Sequence, residues 1–221
     1  MTLPNARPYI KESMPSATRR SGFASCAALV LLAACRVAPA PAVQDGDIIF
    51  QTSRSAQSVA IQRATHSPYS HMGLVLYRDG RPFVLEAAAT VRYTPLAEWI
   101  DRGVGRHFVV KRLRDALVVL TPARLGRLRR AAEQLRGRPY DPLFRWSDDH
   151  LYCSELVWKV YTRGLGVEIG ALQQLREFDL GAPEVRAQVD RRYGGRVPLG
   201  EPVISPAAMF ADPDLITVAA R

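Results

Sequence analysis

From residue 46 onward the chain switches between apolar runs of strand type and helical spacing. The run 46–50, Gly-Asp-Ile-Ile-Phe, reads as a short buried strand, and 71–77 and 82–87 read as two more. Between them Val59, Ile61 and Ala64 follow Ser55, which predicts a serine-capped helix over 55–65. A short helix is expected at 95–101 and a strand at 107–113. The best-punctuated helix begins at Thr121: Pro122 fills its first turn, Leu125, Leu128, Ala132 and Leu135 make one apolar stripe, and Gly137 ends it before Pro139. Arginines 124, 127, 129 and 130 fall off that stripe and read as a solvated face. A helix from Cys153 to about Tyr161 carries Leu156, Val157 and Val160 on one side, with Asp148 and Asp149 ahead of it as turn or cap residues. Further helices are expected at 182–193 and from Ser205, and no internal repeat is visible. Elements mixed in this order, with hairpins, predict an α+β domain: an antiparallel sheet packed with helices.

The turn between the strands at 71–77 and 82–87 sets their register. Asp79-Gly80 between two apolar runs is a strong signal for a two-residue hairpin loop. Arg78 then faces Arg81, Val75 pairs with Val84, and Gly73 pairs with Glu86. Side chains alternate along a strand, so His71, Gly73 and Val75 share one face and Glu86 joins them there. His71 and Glu86 become diagonal neighbours, roughly 7–8 Å apart at the backbone. Gly73 leaves room between them. A histidine backed by a carboxylate is the base-and-orienter half of a catalytic triad, and it is equally the look of an ordinary satisfied polar contact.

The N-terminal stretch is of a different kind. After Arg19 and Arg20 comes an uncharged, largely apolar run over 21–35, too short for a bilayer span and flanked as a secretory signal is. It ends Leu32-Ala33-Ala34-Cys35, which resembles the bacterial lipobox and implies a lipidated Cys35 as the first mature residue. Met14 as the start would leave a signal of ordinary length. The expected organisation is a signal peptide over 1–34, a lipidated cysteine with a Pro/Ala tether over 35–44, and one domain over 45–221. Such a chain would be a periplasm-facing lipoprotein of a bacterial envelope, held to the membrane by its lipid. The formal charge is +9; residues 1–34 supply four cations against one acid, leaving about +6. That suits an acidic envelope surface, and with no helix-turn-helix, zinc finger or aromatic-basic RNA motif, no nucleic-acid partner is expected.

These boundaries decide what the three cysteines do. Cys26 leaves with the signal and Cys35 carries lipid, so Cys153 has no partner for a disulfide. A leftover thiol in an oxidising compartment is either reactive or buried and inert. In the first turn of a helix the macrodipole favours a thiolate, and the unpaired N–H groups can receive an oxyanion. Cys153, His71 and Glu86 then stand as nucleophile, base and orienter. His66 and His150 are alternative bases or ligands, but His150-x-x-Cys153 offers two ligands where zinc wants at least three. No metal and no cofactor is expected. His107 reads as surface, Trp99, Trp146 and Trp158 as core or cleft walls, and the glycines at 103 and 105 as a turn, not a phosphate loop.

The stretches 46–73, 93–100, 137–141, 146–161 and 177–180 together resemble the YiiX/YebB-type branch of the NlpC-like cysteine hydrolases. The resemblance covers nearly all of the chain from residue 45. It implies a circularly permuted papain-like fold, with the histidine strand ahead of the cysteine helix. It places the nucleophile at Cys153, the base at His71 and the orienting acid at Glu86, and it puts Tyr140 of the Gly-Arg-Pro-Tyr-Asp stretch near the cleft, where a core tyrosine is the plainer reading. The implied activity is hydrolysis of a peptide or other amide, with a peptidoglycan stem peptide as the obvious envelope amide and a lipid-linked amide next. Two rivals stand beside it: a thiol acyltransferase of the same fold, and a non-catalytic lipoprotein that binds envelope material.

Overall fold

A computed structural model describes residues 42–221; the expected signal peptide, Cys35 and the tether up to residue 41 lie outside that range. The expected strands form as β1 (Ile48–Gln51), β2 (His71–Arg78), β3 (Arg81–Ala87) and β5 (Val109–Leu113). Two more were not expected: β4 (Val91–Pro95) and β8 (Leu215–Ala220). The six make one antiparallel sheet in the order β4-β3-β2-β1-β5-β8. A two-stranded ribbon joins β6 (Gln173–Gln174) to β7 (Pro202–Val203).

The helices are α1 (Ala56–Thr65), α2 (Leu96–Arg102), a single turn α3 (Ala116–Val119), α4 (Pro122–Leu135), α5 (Cys153–Leu165), α6 (Pro183–Tyr193) and α7 (Pro206–Phe210). Ser55 accepts from the Ser58 amide and Thr121 from the Arg124 amide, as the cap residues require. The fifth helix runs four residues past Tyr161 and stops where Gly166 turns left-handed at φ 67°.

The sheet is buried on both faces, and the period-two alternation sorts its side chains. On one face Ile48, Met72, Leu74 and Leu85 pack with Leu156 and Val160 of α5. On the other Ile49, Val75, Val84 and Val110 pack with Trp99 and Ile100 of α2. Helices α4 and α5 approach closely at Gly164, where a Cβ would lie 2.6 Å from Leu128 Cα. Of the four arginines of α4, Arg130 is exposed as the stripe suggested, and the other three reach partners. Arg124 and Arg127 donate to the carbonyls of Leu165 and Gly164 at the end of α5, and Arg129 bonds Tyr77 O and Asp45. Cations belong at a helix C-terminus, which is the physical reason for the change.

Candidate active site

The hairpin register is the expected one. Arg78 pairs with Arg81 and Val75 with Val84, while Asp79 and Gly80 take φ of 48° and 74° as a mirror-image turn demands. Continuing from the Leu74–Leu85 pair sets Glu86 across from Gly73. A Cβ at Gly73 would run into Cγ1 of Val84 and lie 2.7 Å from the Leu85 carbonyl oxygen, so this strand must be glycine here. His71 Nε2 lies 2.7 Å from Glu86 Oε2. The ring is 15% exposed and the carboxylate is fully buried.

Glu86 is held from three further directions. The Thr94 hydroxyl of β4 donates to Oε1 at 2.6 Å, Arg102 of α2 donates to the same oxygen, and Arg92 Nε stands 3.6 Å away. Burial pushes this carboxyl up, but the His71 bond and charge, then Thr94 and Arg102, overturn it and bring the pKa down to about 2. Trp99 stacks on the far side of the imidazole, with centroids 5.8 Å apart and planes 24° apart.

His71 and Glu86 point to the α2 side of the sheet, whereas Cys153 opens the helix on the other side. They meet because His71 is the first residue of β2 and so sits at the sheet's end, where the segment leading into α5 is tied down. Val91 N donates to Arg138 O at 2.7 Å and Tyr140 N to Ala89 O at 3.0 Å, which sews that segment to the β3–β4 connection just past Glu86. Leu151 then donates to Pro139 O at 3.0 Å, two residues ahead of the cysteine. Burial lowers the His71 pKa, but the bonds and charges of Cys153 and Glu86 outweigh it and raise it to about 9. The ring is therefore an imidazolium at neutral pH, with Nε2 on Glu86 and Nδ1 left for the sulfur side.

Neighbours that the sequence did not reveal fix the helix start. The Ser154 hydroxyl donates to Ile204 O at 2.8 Å, and Ile204 N donates to the Tyr152 hydroxyl at 3.2 Å. Glu155, buried, accepts from Ser147 N, Tyr152 N and Lys159 Nζ. Burial dominates there and raises this acid to about 7 in spite of Lys159. Asp148 is not the helix cap; it pairs with Lys159 and Arg163 at 3.0 and 2.7 Å, further along the same helix.

Two clefts open beside the pair, one lined by Cys153 and one by His71, and they differ in kind. One is an apolar cavity walled by Ala60, Ile61, Phe144, Phe178, Val185 and Ile204. The other is a polar groove past His71, with Gln51, Arg54, Ser70, Arg102 and Tyr140 along it. Tyr140 accepts from Gln57 Nε2 at 2.6 Å. Burial pushes its phenol well above the ordinary tyrosine range, and a bridge to Leu151 sets Tyr140 beside the residues that lead into Cys153.

The other histidines go elsewhere. His66 is exposed and 3.7 Å from Asp179, His107 is exposed against Tyr69, and His150 is exposed in the loop before the cysteine. Among the described residues no three His, Cys, Asp or Glu side chains are grouped as metal ligands. Among them, too, no helix is long and apolar enough to cross a membrane. Cys153 is a free, buried thiol, 4% exposed.

The family model described as "Permuted papain-like amidase enzyme, YaeF/YiiX, C92 family" matches residues 42–219. A protein of Escherichia coli K12, called "Uncharacterized protein YiiX", is 50% identical over 176 residues, spanning 80% of this chain and 86% of its own length. A crystal structure described as that of "metalloprotein yiiX" from Escherichia coli O157:H7 aligns at a TM-score of 0.77 and 50% identity, covering 80% of this chain and 97% of that one.

Proposed function

We propose that this chain, which belongs to the permuted papain-like amidase family of the YaeF/YiiX type, is a cysteine amidase acting on amides whose acyl part is apolar. The observation that carries the reading is the position of Cys153: on one side the His71–Glu86 pair, bonded at 2.7 Å, and on the other an apolar cavity. An amide that presents its carbonyl to the sulfur with its acyl group in that cavity has its nitrogen toward the polar groove and His71.

The chemistry follows from the placement of the three groups. The Cys153 thiolate attacks the carbonyl carbon, and the negative charge moves to oxygen, which the Cys153 N–H, lacking a helical acceptor, can receive. His71 gives its Nδ1 proton to the departing nitrogen, and the amine leaves as the tetrahedral intermediate collapses to a thioester. Nδ1, now neutral, takes a proton from water; hydroxide adds to the thioester and the carboxylic acid leaves with the thiolate restored. Glu86 holds the ring in one orientation and stabilises its charged form throughout.

The largely apolar walls favour a lipid-linked amide over a peptidoglycan stem peptide, whose several charged groups would meet a single charged side chain, Arg192, among the lining residues. The solved relative is described as a metalloprotein. The described residues here offer no cluster of three His, Cys, Asp or Glu that suits a metal ion, and no step is routed through one. The signal and lipobox-like stretch support an envelope lipoprotein anchored at Cys35. Labelling cells with a clickable fatty acid should mark the wild type and not Cys35→Ser.

The test of the activity is incubation of the domain 45–221 with N-acyl amino acids of graded chain length and with muropeptides, followed by mass spectrometry. A long-chain acyl adduct on Cys153, with free fatty acid and amine as products, is expected. Adducts that wait for an added amine acceptor would make the protein an acyltransferase, and turnover confined to muropeptides would refute the lipid assignment.

A further inference from the structure

A chain of side chains runs from the apolar cavity, which Arg192 and Gln57 line, to the polar groove, which Gln57 and Tyr140 line, and its direction can be read without ambiguity. Arg192 of α6 lies with Nη2 2.7 Å from one end of the Gln57 amide, and the other end of that amide lies 2.6 Å from the Tyr140 hydroxyl oxygen. Guanidinium has donors only. The amide oxygen of Gln57 must therefore face Arg192, and its NH2 must face Tyr140. That NH2 has no lone pair to offer, so the Tyr140 oxygen is the acceptor and its own hydrogen points away from Gln57. Among the described residues this hydrogen has no acceptor, and Tyr140 is bridged to Leu151, two residues before Cys153, and shares the groove with His71.

We propose that Gln57 and Arg192 are positioning residues which set the polarity of this chain, so that Tyr140 delivers its hydroxyl hydrogen to the oxyanion formed above Cys153. The inference rests on the amidase reading and deepens it. Three elements supply the parts: Gln57 comes from the first turn of α1, Arg192 from the last turn of α6, and Tyr140 from the segment sewn to the β3–β4 connection. Arg192 is itself steadied over the Phe144 ring at 5.0 Å. Its positive charge polarises the amide, and a polarised amide makes the phenol a stronger donor. A merely structural tie between α1 and α6 would need the contacts but not their direction.

The direction can be reversed by one atom pair. Gln57→Glu keeps the size and strengthens the contact with Arg192, but a carboxylate accepts at both ends. It turns the Tyr140 hydrogen toward itself and away from the site. The probe is p-nitrophenyl laurate, read as the burst of p-nitrophenol on acylation of Cys153, beside alkylation of the same thiol by iodoacetamide, which forms no oxyanion. Gln57→Glu is expected to slow acylation about 10²–10³-fold, the scale of losing one oxyanion donor. Its alkylation rate and melting temperature should stay near wild type. Tyr140→Phe should show the same loss, and the double variant should be no slower than Tyr140→Phe alone. Arg192→Met, which frees the amide to turn, should lose part of the burst, and Arg192→Lys, also donor-only, should recover most of it. A Gln57→Glu burst equal to wild type overturns the proposal, as does a fall in alkylation parallel to that in acylation or a double variant slower than Tyr140→Phe. A wild-type thiol that alkylates but is never acylated overturns the amidase reading and this one with it.

Discussion

Glu86→Gln isolates the electrostatic part of the His71–Glu86 contact. The amide keeps an oxygen for the Nε2 proton and can turn its NH2 to the Thr94 hydroxyl, while Arg102, 41% exposed at its side chain, can swing into water. Orientation is preserved and the charge is lost. Holding Glu86 near 2 instead of 4.5 corresponds to about 3 kcal/mol of preference for its charged form, shared among His71, Thr94 and Arg102 against burial. Assigning roughly half to His71 gives about 1–2 kcal/mol of coupling, and coupling is reciprocal. Removing the anion makes the imidazolium less favourable, so the ring should lose its proton at lower pH. Its midpoint should fall from about 9 by roughly one pH unit. The assay is an NMR titration of the His71 Cε1–H, with exposed His66, His107 and His150 as internal references. An unmoved midpoint in a folded Glu86→Gln variant, or a wild-type midpoint near 6.5, would refute the pairing as a charge-holding device.

Three other expectations follow from the packing. Gly73→Ala drives a Cβ into Val84 and toward the Leu85 carbonyl; overpacking of this kind costs about 3 kcal/mol, so thermal unfolding should show a fall of roughly 6–12 °C. Glu155, raised from 4.5 to about 7, keeps a proton in the fold that the unfolded chain releases, so its contribution to stability declines as pH climbs from 4.5 through 7. Urea midpoints across that window should flatten in Glu155→Gln, while Lys159→Met, which leaves the acid buried without its cation, should cost about 3 kcal/mol at pH 8 and less at pH 5. Ala64→Phe narrows the apolar cavity and should lower kcat/KM for p-nitrophenyl laurate about tenfold, leaving p-nitrophenyl acetate unchanged; equal losses on both esters would detach the cavity from acyl recognition.

Local chemistry made several parts of the molecule legible in the chain. Asp79-Gly80 between two apolar runs favours a tight mirror-image turn, and with period-two alternation that turn puts Glu86 beside His71. The caps at Ser55 and Thr121 are equally local, because each satisfies a backbone group within a few residues. Strand β4 was not legible, since it carries exposed Arg92 and ends on Pro95, whereas β8, Leu-Ile-Thr-Val-Ala-Ala at the sheet edge, has a β-branched apolar run from which a strand could have been expected.

What the sequence determined by itself is the candidate set Cys153, His71 and Glu86 and the register that joins two of them. Only the tertiary structure decided that the sulfur reaches the ring from the opposite side of the sheet, since that depends on the residues 137–152 being sewn to the β3–β4 connection. It also decided that Arg124 and Arg127 of α4 serve the end of α5, and that Arg192, Gln57 and Tyr140, 135 and 83 residues apart along the chain at their two contacts, form one directed file. Contacts of that sequence separation leave no periodic trace, because nothing about residue 57 constrains residue 192 until both helices are packed.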